Sequence, residues 1–151
     1  MTTGALVALD PGRSKCGLVR TDPGRTQVDE ALILDPVACR ATLIRWQQQT
    51  PLAGVVLGNG TGSRQWQRDL ADLAIAVLPV DEWGTTLAAR QRYWQLWPPR
   101  GWRRLLPPGL RLPPRDLDDL AAQILLERWL QRPLPRGGQA LGATVRTGPA
   151  R

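Results

Sequence analysis

The 151-residue chain contains no histidine and no phenylalanine, only two cysteines and a single lysine. Without histidine, a Ser-His-Asp triad, a Cys-His dyad and a His-ligated zinc site are excluded. Cys16 and Cys39 are too few for a disulfide scaffold or a four-thiolate metal site. No apolar run approaches the roughly 18 residues that span a bilayer, and the first residues lack the pattern of a secretory signal. We therefore expect a cytoplasmic protein with no membrane association, whose site chemistry depends on carboxylates, hydroxyls, amides and arginine.

Positive charge is distributed unevenly. The formal net charge is +7, from 20 Lys and Arg against 13 Asp and Glu. Residues 98–115, the basic arm, carry five arginines, and residues 132–151, the basic tail, carry four, with no acid in either segment. Mobile basic segments on a slightly acidic body favour binding of a polyanion, because cations that neutralise phosphates release counterions. For the tail, the alternative to polyanion binding is a general bias of the chain towards arginine, without a functional role.

Hydrophobic patterning predicts the element order β-β-β-α-β-α-β-α-α. The strands are expected at 5–9, 16–19, 28–34, 54–57 and 77–80, and the helices at 36–49, 64–76, 85–96 and 116–131. This order predicts an α/β fold with a mixed five-stranded sheet, in which an antiparallel meander of three strands is followed by parallel crossovers and flanked by helices. Trp66 and Trp129 are expected in the core. The domain is expected to span 1–131, and 132–151 to be a flexible basic tail.

Acidic residues directly follow two of the predicted strands. Asp10 follows the first strand, and the pair Asp81-Glu82 follows the fifth. In sheets of this class, functional groups gather where strands end. A single acid there is most simply a loop or helix cap, whereas converging carboxylates repel each other unless a cation or a proton compensates. Oxygen-liganded ions such as Mg²⁺ or Mn²⁺ suit such a site and support phosphodiester hydrolysis without histidine.

A third acid is expected at the start of the last long helix. Asp116 is predicted to be its N-cap and Asp119 the N3 residue of a capping box, so both have a local structural role. Asp118 is the acid closest to the predicted core-facing stripe. That stripe contains Ala122, Leu125 and Trp129. Asp118 is therefore the preferred third member of the site, with Asp119 in reserve.

Three segments, in this order and spacing, resemble the YqgF/RuvC-like branch of the RNase H superfamily: ALVALDPGRSKCGLV, VDEWGTT and LDDLAAQILLERWL. The resemblance covers roughly residues 4–131. It implies an RNase H-like fold and a Mg²⁺- or Mn²⁺-dependent nuclease that acts on Holliday-junction-like DNA or on precursor rRNA. By matching position, it places the catalytic, metal-binding acids on Asp10, Glu82 and Asp118. The oligomeric state is open, and a homodimer is compatible with the sequence.

Two segments depart from the pattern of this family. The loop GNGTGS at 58–63 replaces the usual Gly-x-Pro loop and is similar to the loop in the YqgF-like domain of the Tex proteins, which bind nucleic acid. Trp83 stands where a basic residue usually follows the Asp-Glu pair. A non-catalytic, Tex-like nucleic-acid-binding module is therefore the second hypothesis. A sugar-kinase or actin-like ATPase would need two such domains, which 151 residues cannot supply.

Several polar residues are candidates for contacts with nucleic acid. The loop at 58–63 exposes N–H groups in front of a helix, an arrangement that binds anions, although an ordinary turn with Ser63 as the helix N-cap explains it equally well. Trp102 lies beside two arginines, where it could stack on a base or anchor the arm to the core. The candidates are Arg13, Lys15, Asn59, Thr61, Ser63, Arg64, Trp102, Arg103 and Arg104.

Overall fold

The structure is a computed structural model that describes residues 3–141 and 144–145. Within this part of the chain the strands are β1 (Leu6–Asp10), β2 (Cys16–Thr21), β3 (Val28–Leu34), β4 (Gly54–Gly58), β5 (Val77–Val80) and β6 (Thr144–Val145). The helices are α1 (Pro36–Gln49), α2 (Ser63–Asp72), α3 (Thr85–Leu96), α4 (Asp118–Leu130) and α5 (Gly138–Leu141). Two 3₁₀ turns, Gly101–Leu105 and Pro108–Leu110, lie between α3 and α4. None of the helices in the described ranges is both long enough and apolar enough to cross a bilayer.

All the strands belong to one mixed sheet in the order β5-β4-β1-β2-β3-β6. The pairs β1–β2 and β2–β3 are antiparallel, whereas β1–β4, β4–β5 and β3–β6 are parallel. This confirms the predicted α/β class, with its antiparallel meander, its parallel crossovers and its flanking helices. The two-residue strand β6, which hydrophobic patterning does not predict, extends the sheet beyond β3.

The central strand β1 is buried on both faces, as its uninterrupted apolar sequence indicates. Val7 and Leu9 face a core built with α1 and α2, whereas Leu6 and Ala8 face a core built with α4. Trp66 of α2 is buried in the first of these cores, as predicted. The sheet therefore holds the end of β1 rigidly between two packed layers.

The start of α2 differs from the prediction. Its N-cap is Gly62, which has a φ of +85° and makes no side-chain capping bond. Ser63, the predicted N-cap, is instead the first helical residue and is buried. The left-handed conformation of Gly62 turns the chain into the helix, so no hydroxyl cap is needed.

The start of α4 also differs from the prediction. The helix begins at Asp118, and its N-cap residue Leu117 makes no side-chain capping bond. The carboxylate of Asp116 instead accepts a hydrogen bond from the Lys15 ammonium, so the predicted capping box with Asp119 is wrong. Farther along α4, Ala122 and Leu125 are buried as predicted, but Trp129 is 42% exposed and does not belong to the core.

The described part of the predicted tail packs against the domain. Leu134 and Arg136 are buried. Val28 at the start of β3 exchanges backbone hydrogen bonds with Pro135 and Gly137, at 2.9 and 2.8 Å. Where a flexible tail is predicted, residues 132–141 are therefore fixed to the edge of the sheet; residues 142–143 and 146–151 lie outside the described residues. The domain boundary at residue 131 stays a prediction.

Candidate active site

The sheet topology places Asp10 and Glu82 at the same edge. Asp10 is the last residue of β1, and β1, β4 and β5 run parallel, so their carboxyl ends lie together. β5 ends at Val80, two residues before Glu82. The two acids that follow predicted strands therefore lie at the same edge of the sheet, at the ends of the two strands that flank β4.

Gly17 allows α4 to begin next to Asp10. It is the partner of Asp10 in the β1–β2 register. A Cβ atom at Gly17 would overlap the carbonyl group of Asp118 and would lie 3.0 Å from the backbone nitrogen of Asp119. Only a glycine lets the helix backbone approach the strand this closely. The close approach brings the third predicted acid, Asp118, beside the end of β1.

Two glycines make room for the carboxylate of Glu82. A Cβ atom at Gly58 would lie 2.6 Å from Oε2 of Glu82, and one at Gly60 would overlap Oε1. The Asn59 side-chain oxygen accepts a hydrogen bond from the Glu82 backbone N–H at 3.3 Å. The glycine-rich loop, which the sequence leaves open as either an anion site or an ordinary turn, thus packs against an acidic side chain.

Electrostatics couple the three acids. Burial, followed by the charges of Asp118 and Glu82, raises the pKa of Asp10 to about 7. Burial, followed by the charge of Asp116, also raises the pKa of Asp118. A neighbouring carboxylate raises a pKa in this way when no cation compensates its charge.

An open cavity of about 200 Å³ gives access to this edge of the sheet. It is lined by Asp10, by the start of α4 and by one side of α3. The α3 residues that line it are Thr86 and Ala89, for which the sequence predicts no role. Glu82 lies outside the lining of this cavity.

The chemistry of these donors fits a divalent metal ion. Carboxylate oxygens are the ligands that Mg²⁺ and Mn²⁺ prefer, and a bound cation would compensate the charge that surrounds Asp10. Within the described residues, however, no three Asp, Glu, Cys or His side chains come together closely enough to form a metal-binding group. The three acids Asp10, Glu82 and Asp118 thus lie at one edge of the sheet, but they are not close enough together in this conformation to form a metal-binding group.

The reserve residue Asp119 has another role. Its side chain is fully buried and accepts hydrogen bonds from Arg115 at 2.8 and 3.3 Å and from Arg136 at 3.0 Å. Arg136 is itself buried and also donates from Nε to Gln123 at 2.7 Å. Asp119 thus belongs to a buried ion-pair cluster behind the site. Sequence reasoning missed the two arginines, because both lie in segments where their charge suggests solvent or phosphate.

The predicted nucleic-acid contacts are only partly at the surface. Arg13 is exposed, whereas the Lys15 ammonium is paired with the carboxylate of Asp116. In the glycine-rich loop, Asn59, Thr61 and Arg64 are exposed. Ser63 is buried, so its side chain is not available to a ligand in this conformation.

The basic arm is folded onto α3 rather than free. The Arg111 guanidinium donates from Nε to the Arg103 carbonyl at 3.0 Å and from Nη2 to the Arg104 carbonyl at 3.1 Å. The indole of Trp94 in α3 donates to the Arg111 carbonyl at 3.1 Å. Trp102 is 63% exposed, and the guanidinium carbon of Arg103 lies 4.9 Å from its ring centroid. Trp102 therefore does not anchor the arm to the core, and a stacking role stays open to it.

The raised pKa of Asp10 predicts how stability depends on pH. Because the folded protein binds this proton more tightly than the unfolded chain does, folding stability falls as the pH rises from about 4 to about 7. In metal-free buffer, the free energy of unfolding of the wild type should therefore drop between pH 5 and pH 8 by roughly 2 kcal/mol more than that of Asp10→Asn. Urea unfolding at the two pH values measures this.

Magnesium provides the control for that measurement. At pH 8, millimolar Mg²⁺ should stabilise the wild type and leave Asp10→Asn unchanged, because a ligand that binds only the folded state raises its stability. Equal pH profiles for the two proteins would show that the pKa of Asp10 is not raised in the folded protein.

Comparisons with known proteins yield a structural similarity. No protein-family model matches the chain, and no curated protein matches its sequence. Among solved structures, the chain is similar to RuvC of T. thermophilus, solved in complex with a Holliday junction substrate. The sequence identity is 14%, the match covers 83% of this chain and 96% of the RuvC chain, and the TM-score is 0.46.

Proposed function

We propose that this protein is a divalent-metal-dependent nuclease that hydrolyses phosphodiester bonds of structured nucleic acid, either junction-like DNA or precursor rRNA. The observation that carries the proposal is the gathering of Asp10, Glu82 and Asp118 at one edge of the sheet. The three residues come from distant parts of the chain, and burial together with the charges of the other two raises the pKa of Asp10. Such an arrangement destabilises the protein in the absence of a cation, which indicates a functional rather than a structural role.

Asp10, Glu82 and Asp118 would hold Mg²⁺ or Mn²⁺, which, when bound, activates water and stabilises the leaving oxygen of the phosphodiester. Asp10 supplies a carboxylate at a fixed position, because β1 is buried on both faces. Glu82 is held against the glycine-rich loop, and Asp118 is held by the packing of α4 on β2. Arg13, exposed beyond the end of β1, is suited to contact a substrate phosphate near the acids.

A cleavage assay on defined substrates tests the proposal. The substrates are a four-way DNA junction, a DNA duplex, a single strand and a structured precursor-like RNA, each incubated with Mg²⁺, with Mn²⁺ or with EDTA. We expect metal-dependent cleavage of at least one branched or structured substrate and none in EDTA. Binding without cleavage would support the non-catalytic module instead, and the absence of both would overturn the proposal.

The basic arm should supply sequence-independent affinity. Replacing Arg103 and Arg104 by alanine should weaken binding to all sequences alike. It should also reduce the slope of log K against log salt by about 1 for each phosphate that the arm no longer neutralises. Fluorescence anisotropy in EDTA at several salt concentrations measures this slope without cleavage.

The matched control for the arm is Arg40→Ala with Arg45→Ala. These two arginines are exposed on α1, so the control removes the same charge from another surface. A slope that is unchanged in the arm variant, or reduced equally in the control, would remove the arm from the interface.

A further inference from the structure

A second cavity, of about 340 Å³, lies between the C-terminal half of α3 and the basic arm. We call it the arm pocket. Its α3 side is formed mainly by Tyr93, Trp94 and Trp97, and its arm side includes Arg100 and Arg103. Its volume falls within the range of pockets that bind small organic ligands.

The aromatic wall of the arm pocket is held in place before any ligand binds. The Trp94 indole N–H is bonded to the Arg111 carbonyl, which fixes the ring against the arm. Tyr93 packs edge-on against Trp94, with ring centroids 4.9 Å apart, and also contacts Trp97 at 5.2 Å. Trp97 is further held by the guanidinium of Arg115, 5.1 Å from its ring centroid. A preorganised wall of this kind binds a planar group at a low cost in entropy.

The charge on the rim of the arm pocket is positive. The lining contains no acidic residue. Among the ion pairs of the described residues, none involves Arg100 or Arg103. A pocket with aromatic walls and guanidinium groups at its mouth is complementary to a ligand that has a planar ring and an anionic group. A nucleotide combines these two features.

The arm pocket lies close to the candidate active site. Helix α3 lines both cavities, with Ala89 in the first and Trp94 in the second. Five helical residues correspond to about 7.5 Å along the axis. On the other side, Pro114 lines the arm pocket and Asp116 lines the active-site cavity, only two residues along the chain. A nucleotide in the arm pocket would therefore lie within a few nucleotides of the catalytic acids.

We propose that the arm pocket binds one unpaired nucleotide of the nucleic-acid substrate, with its base against Trp94 and its phosphate at Arg100. The position of this nucleotide beside the scissile bond rests on the proposed nuclease function, but its binding to the arm pocket does not. A paired base has its edge and both its faces engaged in the duplex. The pocket thus selects substrates that carry an unpaired base near the scissile bond.

The test is a binding titration in EDTA with a labelled 12-nucleotide single strand and a series in which each nucleotide in turn is abasic. For the wild type, the abasic substitution should weaken binding on the order of 10-fold at the position that occupies the pocket, the usual size of a stacking contact. Trp94→Leu should weaken binding to the intact strand by a similar factor. It should also eliminate the abasic effect at that position, since the two changes remove the same contact.

Two further variants keep the test valid if Trp94→Leu fails to fold. Arg100→Ala changes an exposed side chain and should weaken binding several-fold, whereas Arg68→Ala removes an exposed arginine from α2 and should have a smaller effect. Equal effects of these two variants, or an abasic profile in Trp94→Leu that matches the wild type, would overturn the proposal.

A competition experiment shows whether the bound nucleotide belongs to a nucleic-acid strand or is free in solution. If a nucleoside 5′-monophosphate binds in an Arg100-dependent manner while the abasic series shows no sensitive position, the pocket holds a free nucleotide and the proposal is overturned. Failure of the nuclease function gives a different result, because a wild type that never cleaves with Mg²⁺ can still show the abasic signature in EDTA.

Discussion

Asp10→Asn should abolish metal-dependent cleavage while leaving nucleic-acid binding in EDTA unchanged. The substitution keeps the shape of the side chain and removes a half-buried carboxylate whose pKa is raised by burial and by the charges of Asp118 and Glu82. Loss of residues that merely support metal ligands already costs about 10- to 100-fold, so loss of a ligand should reduce the rate by at least about 100-fold. Single-turnover cleavage with saturating enzyme measures the chemical step separately from binding.

Asp72→Asn is the matched control for this experiment. Asp72 is exposed at the last position of α2, away from the three acids, so its amide should leave both cleavage and binding unchanged. Glu82→Gln and Asp118→Asn should reproduce the loss seen with Asp10→Asn. If Asp10→Asn cleaves at the wild-type rate, the hydrolytic site lies elsewhere and the three acids have a different role.

Asp119→Ala should destabilise the protein by about 3–5 kcal/mol, because it leaves the buried guanidinium of Arg136 without a counter-charge. That is a large fraction of the stability of a typical domain. Removing only Arg136 as Arg136→Met should cost less, since Asp119 keeps its bonds to Arg115. Urea unfolding monitored by circular dichroism provides the free energies.

The pair Lys15–Asp116 supplies an exposed control for the buried cluster. Its two side chains are 42% and 50% exposed, and replacing Lys15 by methionine should cost no more than about 1 kcal/mol. A cost for Asp119→Ala as small as that for Lys15→Met would show that the cluster is not closed to water in solution. Removal of residues 132–151 should destabilise the domain at least as much as Arg136→Met does. Removal of a tail that makes no contacts with the domain would leave its stability unchanged.

The sheet and the position of the acids follow from local patterns in the sequence. β1 and β5 are continuous apolar runs of strand length, and an acid directly after each run must lie at the sheet edge where parallel strands end. The helical period placed Asp118 on the side of α4 that faces the sheet, and the burial of Ala122 and Leu125 confirms that side. The period failed at Trp129, which is exposed although its neighbour Leu130 packs against the core on the sheet.

Other features depend on contacts that no local pattern encodes. Asp119 and Arg136 are 17 residues apart, and each has the local signature of a solvated charge. Their burial follows from the packing of the segment after α4 against β3 and α4. The close approach at Gly17, by contrast, could be predicted from the sequence, because a glycine inside an apolar strand indicates that another backbone segment lies close to it.

The pairing of Arg136 with Asp119 has a consequence for synthesis on the ribosome. The chain emerges from its N-terminus, so β1 to β5 and α4 are available before Arg136 leaves the exit tunnel. Until then, the carboxylate next to Asp118 lacks one of its two guanidinium partners, and α4 has an incompletely neutralised charge against the sheet. A chain that ends before Arg136 should therefore fold less stably than one that includes it, even though Asp10, Glu82 and Asp118 are all present.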